Sequence, residues 1–243
     1  AGTAARNGRR VLLLERNPRP ARKVMITGKG RCNVTNACSL LNDLIANIPV
    51  NGRFLYSAFS RFMPSDTMDF FEEQGVALKI ERGNRVFPVS DRAVDIVDAL
   101  CRYAAHPNVT LAQGRAVHLL LEAGRLSGVQ TQEGTPYFAP KVVLATGGLS
   151  YPGTGSTGDG YALAAEAGHT IIEPRPSLVP VEVHEGWCSE LQGLALKNIA
   201  ITVRDADTYR AVYEDFGEMM FTHFGLSGPV ILSASAHMRE MRR

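Results

Sequence analysis

The chain has 243 residues, with 26 Lys and Arg against 24 Asp and Glu, and a net charge of +2. This balance argues against a nucleic-acid partner and against attachment to a charged membrane surface, because both call for a surplus of basic residues. Hydrophobic residues make up 45% and charged residues 21% of the sequence. These proportions are typical of a soluble globular protein with one or two domains.

Targeting segments and cysteine pairs are not evident in the sequence. No apolar run is long enough to cross a bilayer, and residues 1–10 are small and basic, without the apolar core of a signal peptide. The four cysteines form no C-x-x-C pair and no metal-binding spacing. They are Cys32, Cys38, Cys101 and Cys188. We therefore expect reduced thiols, a cytoplasmic location and no metal site.

The first elements have the pattern of the second half of a dinucleotide-binding βαβ unit. A small-residue segment stops at Gly8, and the apolar run Val11–Leu14 then leads into Glu15. An acid at the end of such a strand binds ribose hydroxyls in that motif. The G-x-G-x-x-G fingerprint would lie roughly 20 residues before Glu15, upstream of residue 1. A solvated carboxylate at a strand end is the alternative interpretation of Glu15.

The segment GKGRCNVTN is a second candidate for ligand binding. Gly28 and Gly30 allow close approach to the backbone, and Arg31 offers planar donors to a phosphate or a polar ring edge. Asn33 can both donate and accept hydrogen bonds. The alternative is a polar surface loop in which Cys32 is a small buried residue. Because no partner stands at C-x-x-C spacing, we do not expect Cys32 to be a nucleophile.

The middle of the chain predicts helices followed by short strands. Helical periodicity marks residues 64–75 and a second helix capped by Ser90. Four strand candidates, predicted to form a small antiparallel unit, are Val109–Leu111, Ala116–Leu121, Leu126–Thr131 and Tyr137–Ala139. A buried strand is then predicted at Val142–Leu144. This order favours an α/β fold with an inserted β meander over a plain nicotinamide dehydrogenase domain.

The stretch with the most candidate ligand-binding features is ATGGLSYPGTGSTGDGYALAAEAG, which starts at Ala145. The predicted buried strand runs directly into a turn without large side chains, so a flat ligand could approach the backbone closely. A second glycine loop opens into a small-residue helix at Asp159, whose N-terminus offers N–H groups and the positive end of the helix dipole. The two features together favour a nucleotide cofactor.

A proline-rich connector over residues 173–180 predicts a domain boundary. Beyond it, strands are predicted at Val181–Val183, Leu194–Leu196 and Ile199–Val203, with a helix starting near Pro229. His223 stands next to a glycine-bounded turn and is the candidate proton donor. A hydrogen-bonded structural histidine is the alternative.

Four motifs carry a family resemblance: GKGRCNVTN, ATGGLSYPGTGSTGDGYALAAEAGH, PSLVP and GEMMFTHFGLSGP. In this order they resemble the bacterial flavoprotein family of BaiN-like, or aminoacetone-oxidase-like, NAD(P)/FAD-dependent oxidoreductases, from the first residues to about Leu232. The resemblance implies a Rossmann-like FAD-binding domain of the two-dinucleotide-binding type at 1–174 and part of a β-rich substrate domain at 175–243. By this resemblance, the glycine-fingerprint strand and a C-terminal segment that closes over the flavin lie outside this sequence.

The resemblance also implies roles for individual residues. Glu15 would accept the adenosine ribose hydroxyls, and the backbone of Val117 would face adenine. The full set expected along the FAD is Glu15, Arg16, Lys23, Gly30, Arg31, Cys32, Asn33, Val117, Ala145, Thr146, Gly147, Gly148, Gly158, Asp159 and Gly160. The implied activity is hydride transfer between NAD(P)H or a small organic substrate and the flavin, then to an acceptor.

Two other interpretations stay open. A fumarate-reductase-like flavoprotein would need an Arg/His cluster in the second domain, where the scattered candidates are Arg175, His184 and Arg204. The other is a truncated, non-catalytic domain that binds a nucleotide or serves for interaction.

Overall fold

The computed structural model describes residues 1–238. They form two units, one of residues 1–47 and 52–171, the other of residues 48–51 and 172–238. The helices are α1 (Gly2–Arg6), α2 (Leu41–Ala46), α3 (Tyr56–Phe59), α4 (Pro64–Glu73), α5 (Ala93–Ala104), α6 (Asp159–Glu166), α7 (Trp187–Glu190) and α8 (Pro229–Ser235). The strands are β1 (Val11–Glu15), β2 (Thr35–Asn36), β3 (Leu78–Glu81), β4 (Arg85–Pro88), β5 (Val109–Gln113), β6 (Ala116–Glu122), β7 (Arg125–Thr131), β8 (Pro136–Phe138), β9 (Val181–Glu182), β10 (Ala195–Arg204), β11 (Ala211–Thr222) and β12 (Gly225–Ser227). Short 3-10 turns cover Val24–Gly30, Gly52–Leu55 and Pro152–Thr154.

The first unit begins as the sequence predicts. Helix α1 stops before Gly8, which has a φ of 74° and donates its N–H to Ala5 O at 3.0 Å. Strand β1 then pairs in parallel with β5, with Val11 opposite Val109. The prediction that Val109 begins the antiparallel unit is therefore wrong. A parallel pair needs a long crossover between its strands, and local periodicity does not reveal a partner about a hundred residues away.

The inserted meander is confirmed as a three-stranded antiparallel sheet of β6, β7 and β8. Its first pair has a register shift between Ala116 and His118. Such a shift leaves one residue of the strand outside the ladder. That residue is Val117.

The buried strand predicted at Val142–Leu144 is absent, and the segment is irregular. Val143 is 89% and Leu144 40% exposed. A strand needs a hydrogen-bonded neighbour, and no strand among residues 1–238 pairs with this segment. The apolar composition of the segment alone therefore led to a wrong prediction of a buried strand.

The helical core of the first unit agrees with the predicted apolar periodicity. Phe71 on α4 and Ile96 on α5 are buried together with Cys32 and Val76. The second helix starts after Arg92 rather than after Ser90. The predicted cap is wrong because the Ser90 hydroxyl donates to the Asp95 carboxylate at 2.5 Å and accepts only a long bond, at 3.4 Å, from the N–H of Arg92, ahead of the first helical turn.

The second unit is an antiparallel sheet in the order β10, β11, β12 and β9, with α8 packed on β11. The two strands predicted over 194–203 are one strand, β10, with an irregularity between Leu196 and Ile199. Strand β11 was not predicted, because acids and Gly217 interrupt its apolar alternation. Pro229 occupies the first turn of α8, as predicted.

Within residues 1–238, no helix combines the length and apolar character needed to cross a membrane. The same residues hold no group of three or more His, Cys, Asp or Glu arranged for a metal ion. All four cysteines are free thiols.

Candidate functional site

The first unit contains a groove of about 440 Å³ where the irregular segment after the meander meets α6. Its lining residues are Leu144, Thr146, Gly147, Gly148, Gly160, Tyr161 and Ala164. Four of these belong to the predicted cofactor-binding set. Much of the wall is therefore bare main chain, which suits a flat ligand.

At two of these positions a Cβ would lie very close to a neighbouring side chain. Gly147 has a φ of 79°, and a Cβ there would lie 2.7 Å from Ser156 Oγ. A Cβ on Gly160 would lie 2.6 Å from Thr146 Oγ1. Gly147 therefore packs against Ser156 of the loop before α6, and Gly160, in the first turn of α6, packs against Thr146.

Gly148 differs from these two glycines. A Cβ there would meet only Tyr161 Oη, at an ordinary 3.6 Å, and its φ is not in the left-handed region. The fold would therefore tolerate a side chain at this position. Because Gly148 lines the groove, the absence of a side chain there leaves the groove open.

The two glycine loops are joined by a backbone hydrogen bond. Gly158, with a φ of 82°, precedes α6 and donates its N–H to Gly148 O at 3.1 Å. The structure thus brings Gly147, Gly148, Gly158 and Gly160 together, at the N-terminus of an eight-residue helix.

The end of β1 lies against the same loop. Glu15 Oε1 accepts hydrogen bonds from the backbone N (2.8 Å) and Nδ2 (2.9 Å) of Asn17. Asn17 Nδ2 also donates to Thr154 O at 3.1 Å. Arg16 Nη1 donates to Thr157 Oγ1 at 2.7 Å. Glu15 and Arg16 therefore stand beside the loop that leads into α6.

An ion pair anchors the start of α6. Arg115 donates to Asp159 in a bidentate arrangement, at 2.8 and 2.7 Å, and Arg16 Nη1 lies 3.4 Å away. The hydrogen bond from Arg115 lowers the pKa of Asp159 below its ordinary value, although burial acts in the opposite direction. The pair ties the helix to the start of β6, next to Val117. Sequence reasoning missed Arg115, because its partner is 44 residues away.

Val117 lies on β6 at the register shift described above. It is half-buried. It has no Cα partner in the register of β6 and β7, so it is the bulged residue of this pair. Lys23 Nζ donates to Ser150 Oγ at 2.9 Å, so it too reaches the 145–158 segment. Ala145 is exposed.

The GKGRCNVTN segment contains unusual backbone. Gly28, Lys29, Gly30 and Cys32 all have φ between 55° and 85°. Left-handed non-glycine residues are strained and concentrate at functional sites. Cys32 is buried, and burial raises the pKa of its thiol above the ordinary value. It is therefore poorly suited to act as a thiolate.

The polar side chains of this segment face the sheet of β2, β4 and β3. Arg31 donates through Nε to Asp91 Oδ1 at 2.8 Å, pairs with Glu81, and lies 4.2 Å from the Phe87 ring centre. Asn33 is placed so that its amide nitrogen can donate to the carbonyls of Thr35 and Val86. Binding of phosphate by Arg31 stays a prediction, since two carboxylates already engage its guanidinium.

Replacing Arg31 with Met is expected to weaken the pH dependence of stability. Pairing with Arg31 lowers the pKa of Glu81, and pairing with Lys79 and Arg31 lowers that of Asp91. Groups with lowered pKa stabilise the fold above their ordinary pKa, and this contribution is lost as pH falls through the lowered value. The Tm of the unmodified protein should therefore fall more steeply below about pH 4 than that of the variant.

The measurement is Tm by circular dichroism from pH 3 to pH 7. The matched control is Arg82→Met, because Arg82 is exposed on the same hairpin. If Arg31→Met and the unmodified protein lose stability equally at low pH, the ion pairs of Arg31 with Glu81 and Asp91 do not cause the acid sensitivity.

His223 occupies an exposed two-residue turn between β11 and β12. Its ring stands edge-on to Phe224, with 4.9 Å between centres. Its role as a proton donor stays a prediction.

The comparisons with known proteins agree with this architecture. The HI0933-like protein Rossmann domain family matches residues 1–234. Ribosomal RNA dihydrouridine synthase of Escherichia coli K12 is 34% identical over 237 residues, which are 96% of this chain and 56% of that protein. The 3-dehydro-bile acid delta(4,6)-reductase of Clostridium scindens is 31% identical over 235 residues, 95% of this chain and 54% of that protein.

L-aspartate oxidase of Saccharolobus solfataricus is 31% identical over 107 residues, 40% of this chain and 22% of that protein. The chain thus spans little more than half the length of the first two relatives. The relatives include oxidoreductases by name, a reductase and an oxidase. The family match, which covers almost the whole chain, agrees with the parallel β1–β5 pair, the meander and the groove at α6: this chain belongs to the HI0933-like Rossmann domain family.

Proposed function

We propose that this chain forms the dinucleotide-binding part of an FAD-dependent oxidoreductase. The observation that carries the proposal is the groove bounded by Thr146–Gly148 and by Gly160, with bare main chain beside the N-terminus of α6. Its volume of about 440 Å³ falls within the range of small-molecule sites, and four of its lining residues, Thr146, Gly147, Gly148 and Gly160, belong to the set expected along the cofactor.

The residues around the groove fit the polar parts of such a cofactor. Glu15 keeps Oε2 outside its bonds to Asn17, so that oxygen can accept from ribose hydroxyls. The bonds found for Arg16 use only Nη1, which leaves its other nitrogens available to a phosphate. The bulge at Val117 is the position proposed to face the base. The first turn of α6 suits negative charge, which Asp159 already supplies in part.

When bound, FAD would supply two-electron chemistry. The chain's own residues would bind the dinucleotide, orient it against bare backbone and exclude water from one face. NAD(P)H is the proposed electron donor. The proton donor is proposed to be His223, whose exposed turn would have to face the substrate.

The names of two of the relatives suggest which kind of bond the substrate offers. Dihydrouridine differs from uridine by one saturated carbon–carbon bond, and a delta(4,6)-reductase acts on carbon–carbon double bonds. We infer that this protein likewise reduces a double bond conjugated to a carbonyl. The near balance of charge favours a small organic substrate over RNA.

The test is to purify the intact protein and identify any released chromophore by mass spectrometry. We expect a yellow protein that releases FAD and bleaches anaerobically with NADH or NADPH. Reoxidation by a cyclic enone, with the saturated ketone as product, supports the proposed reaction. A colourless protein that takes up no added FAD contradicts the proposal and favours the interaction-domain alternative.

Two further acceptors distinguish the remaining possibilities. Reoxidation by fumarate, but by no enone, would favour the fumarate-reductase-like alternative. Gain of dihydrouridine in a ribosomal RNA transcript, with no enone turnover, would overturn the choice of a small-molecule substrate.

A further inference from the structure

Tyr161 is the one aromatic residue among the described residues that line the groove at α6. It follows Gly160 in the first turn of the helix, and 37% of its surface is exposed. Its Cδ2 lies 3.6 Å from the place that a Cβ on Gly158 would take, and its Oη lies 3.6 Å from the corresponding place on Gly148. The phenol ring therefore extends from one glycine loop to the other, along the wall of bare main chain.

The side chain of Tyr161 is not engaged by the protein. Within residues 1–238, its ring has no aromatic or cationic partner and its hydroxyl makes no hydrogen bond. The hydroxyl of Thr146, which lines the same groove, is likewise unbonded in that part of the chain. A flat ligand in the groove would therefore meet a ring to pack against and two hydroxyl groups that can donate hydrogen bonds.

The lining of the groove differs from one end to the other. Thr146 and Tyr161 bring their hydroxyls to the start of α6, where Thr146 packs against Gly160. Ala164, one turn further along the helix, and Leu144 supply hydrocarbon surface. An isoalloxazine ring has the same division, because its pyrimidine end carries the polar atoms and its other end is a dimethylbenzene. Adenine fits less well, since nitrogen atoms surround most of its edge.

We propose that Tyr161 positions the isoalloxazine ring of the flavin. Its phenol ring packs against the isoalloxazine, and its hydroxyl donates a hydrogen bond to the polar pyrimidine end. The inference rests on the proposed function and deepens it, because it names the part of the cofactor that occupies this groove. It leaves the bulge at Val117 to the base, as proposed above.

The test is the fluorescence of FAD bound to the purified intact protein and to Tyr161→Phe. An excited isoalloxazine that contacts a phenol takes an electron from it and loses its emission, whereas the ring of phenylalanine is too hard to oxidise to quench it. We expect weak emission from FAD bound to the unmodified protein, and a severalfold rise at saturation in Tyr161→Phe.

The affinity for FAD, followed by the shift of the flavin absorbance band, gives a second readout. Tyr161→Phe keeps the ring and loses one hydrogen bond, so the Kd should rise only about threefold. Tyr161→Ala also removes the ring and should raise the Kd about tenfold. Circular dichroism melts show whether each variant is folded. Tyr161→Phe, which removes a single oxygen from an exposed residue, carries the test if Tyr161→Ala does not fold.

The matched control is Tyr151→Phe. Tyr151 is 69% exposed in the same loop and is not among the residues that line the groove, so emission and Kd should stay unchanged. If FAD binds to Tyr161→Phe with the same weak emission as to the unmodified protein, this inference alone is overturned. An equal rise in emission in Tyr151→Phe overturns it as well. A protein that takes up no FAD overturns the proposed function, and the inference with it.

Discussion

Replacing Gly148 with Val is expected to weaken FAD binding by about 100-fold while the protein stays folded. The backbone at Gly148 tolerates a side chain, since a Cβ would meet only Tyr161 Oη at 3.6 Å. The added methyl groups would instead project into the groove and displace the flat ligand. The measurements are FAD titration by flavin fluorescence quenching and Tm by circular dichroism.

The matched control for this variant is Gly153→Val. Gly153 is in the same loop, and a Cβ there meets nothing within 4 Å. We expect the control to bind FAD as the unmodified protein does. If Gly148→Val binds FAD normally, the groove is not the cofactor site, whatever the protein's activity. If the two variants lose FAD equally, the effect comes from the loop as a whole and the groove assignment is again contradicted.

Replacing Asp159 with Ala is expected to lower the free energy of unfolding by about 2 kcal/mol and to weaken FAD binding. The Asp159 side chain is 11% exposed, and its loss leaves Arg115 without its bidentate partner. The hydrogen bond from Thr157 is lost as well. The start of α6 would then no longer be held against the start of β6, so the glycines before the helix would lose their fixed position. Urea unfolding measures the stability change.

A double-mutant cycle separates the pair from other effects of the substitution. Arg115→Met alone should cost less, because Arg115 is 36% exposed, and adding it to Asp159→Ala should cost little more than Asp159→Ala alone. Asp69→Ala is the surface control, since Asp69 is exposed on α4. Fully additive effects of the two substitutions would mean that the ion pair does not hold the helix.

The glycine loops were predictable because their conformations demand particular residues. Gly158 precedes α6 with positive φ, and Gly147 also has positive φ, a backbone conformation that favours glycine. The helices α4 and α5 were predictable for a similar reason: their apolar residues repeat at the helical period. Neither the glycines nor the helical periodicity predicts which other parts of the chain these segments contact.

Pairing over long distances was not predictable in this way. Val109 joins a parallel sheet rather than the meander, and Val143 is exposed although it is apolar. The sequence does not single out Arg115, and only its meeting with Asp159 gives it a role. Arg31 is engaged by Glu81 and Asp91, which the sequence did not reveal, and its binding of phosphate stays a prediction.

By itself, the sequence determined much of the local backbone of this protein: where it turns through left-handed glycines, where α6 and α8 begin, and which stripes are apolar. These properties depend on each residue and its near neighbours. The tertiary structure alone decided which strands pair, which charges meet and where grooves open. Those outcomes depend on contacts between residues far apart in the chain, whose partners a single sequence does not specify.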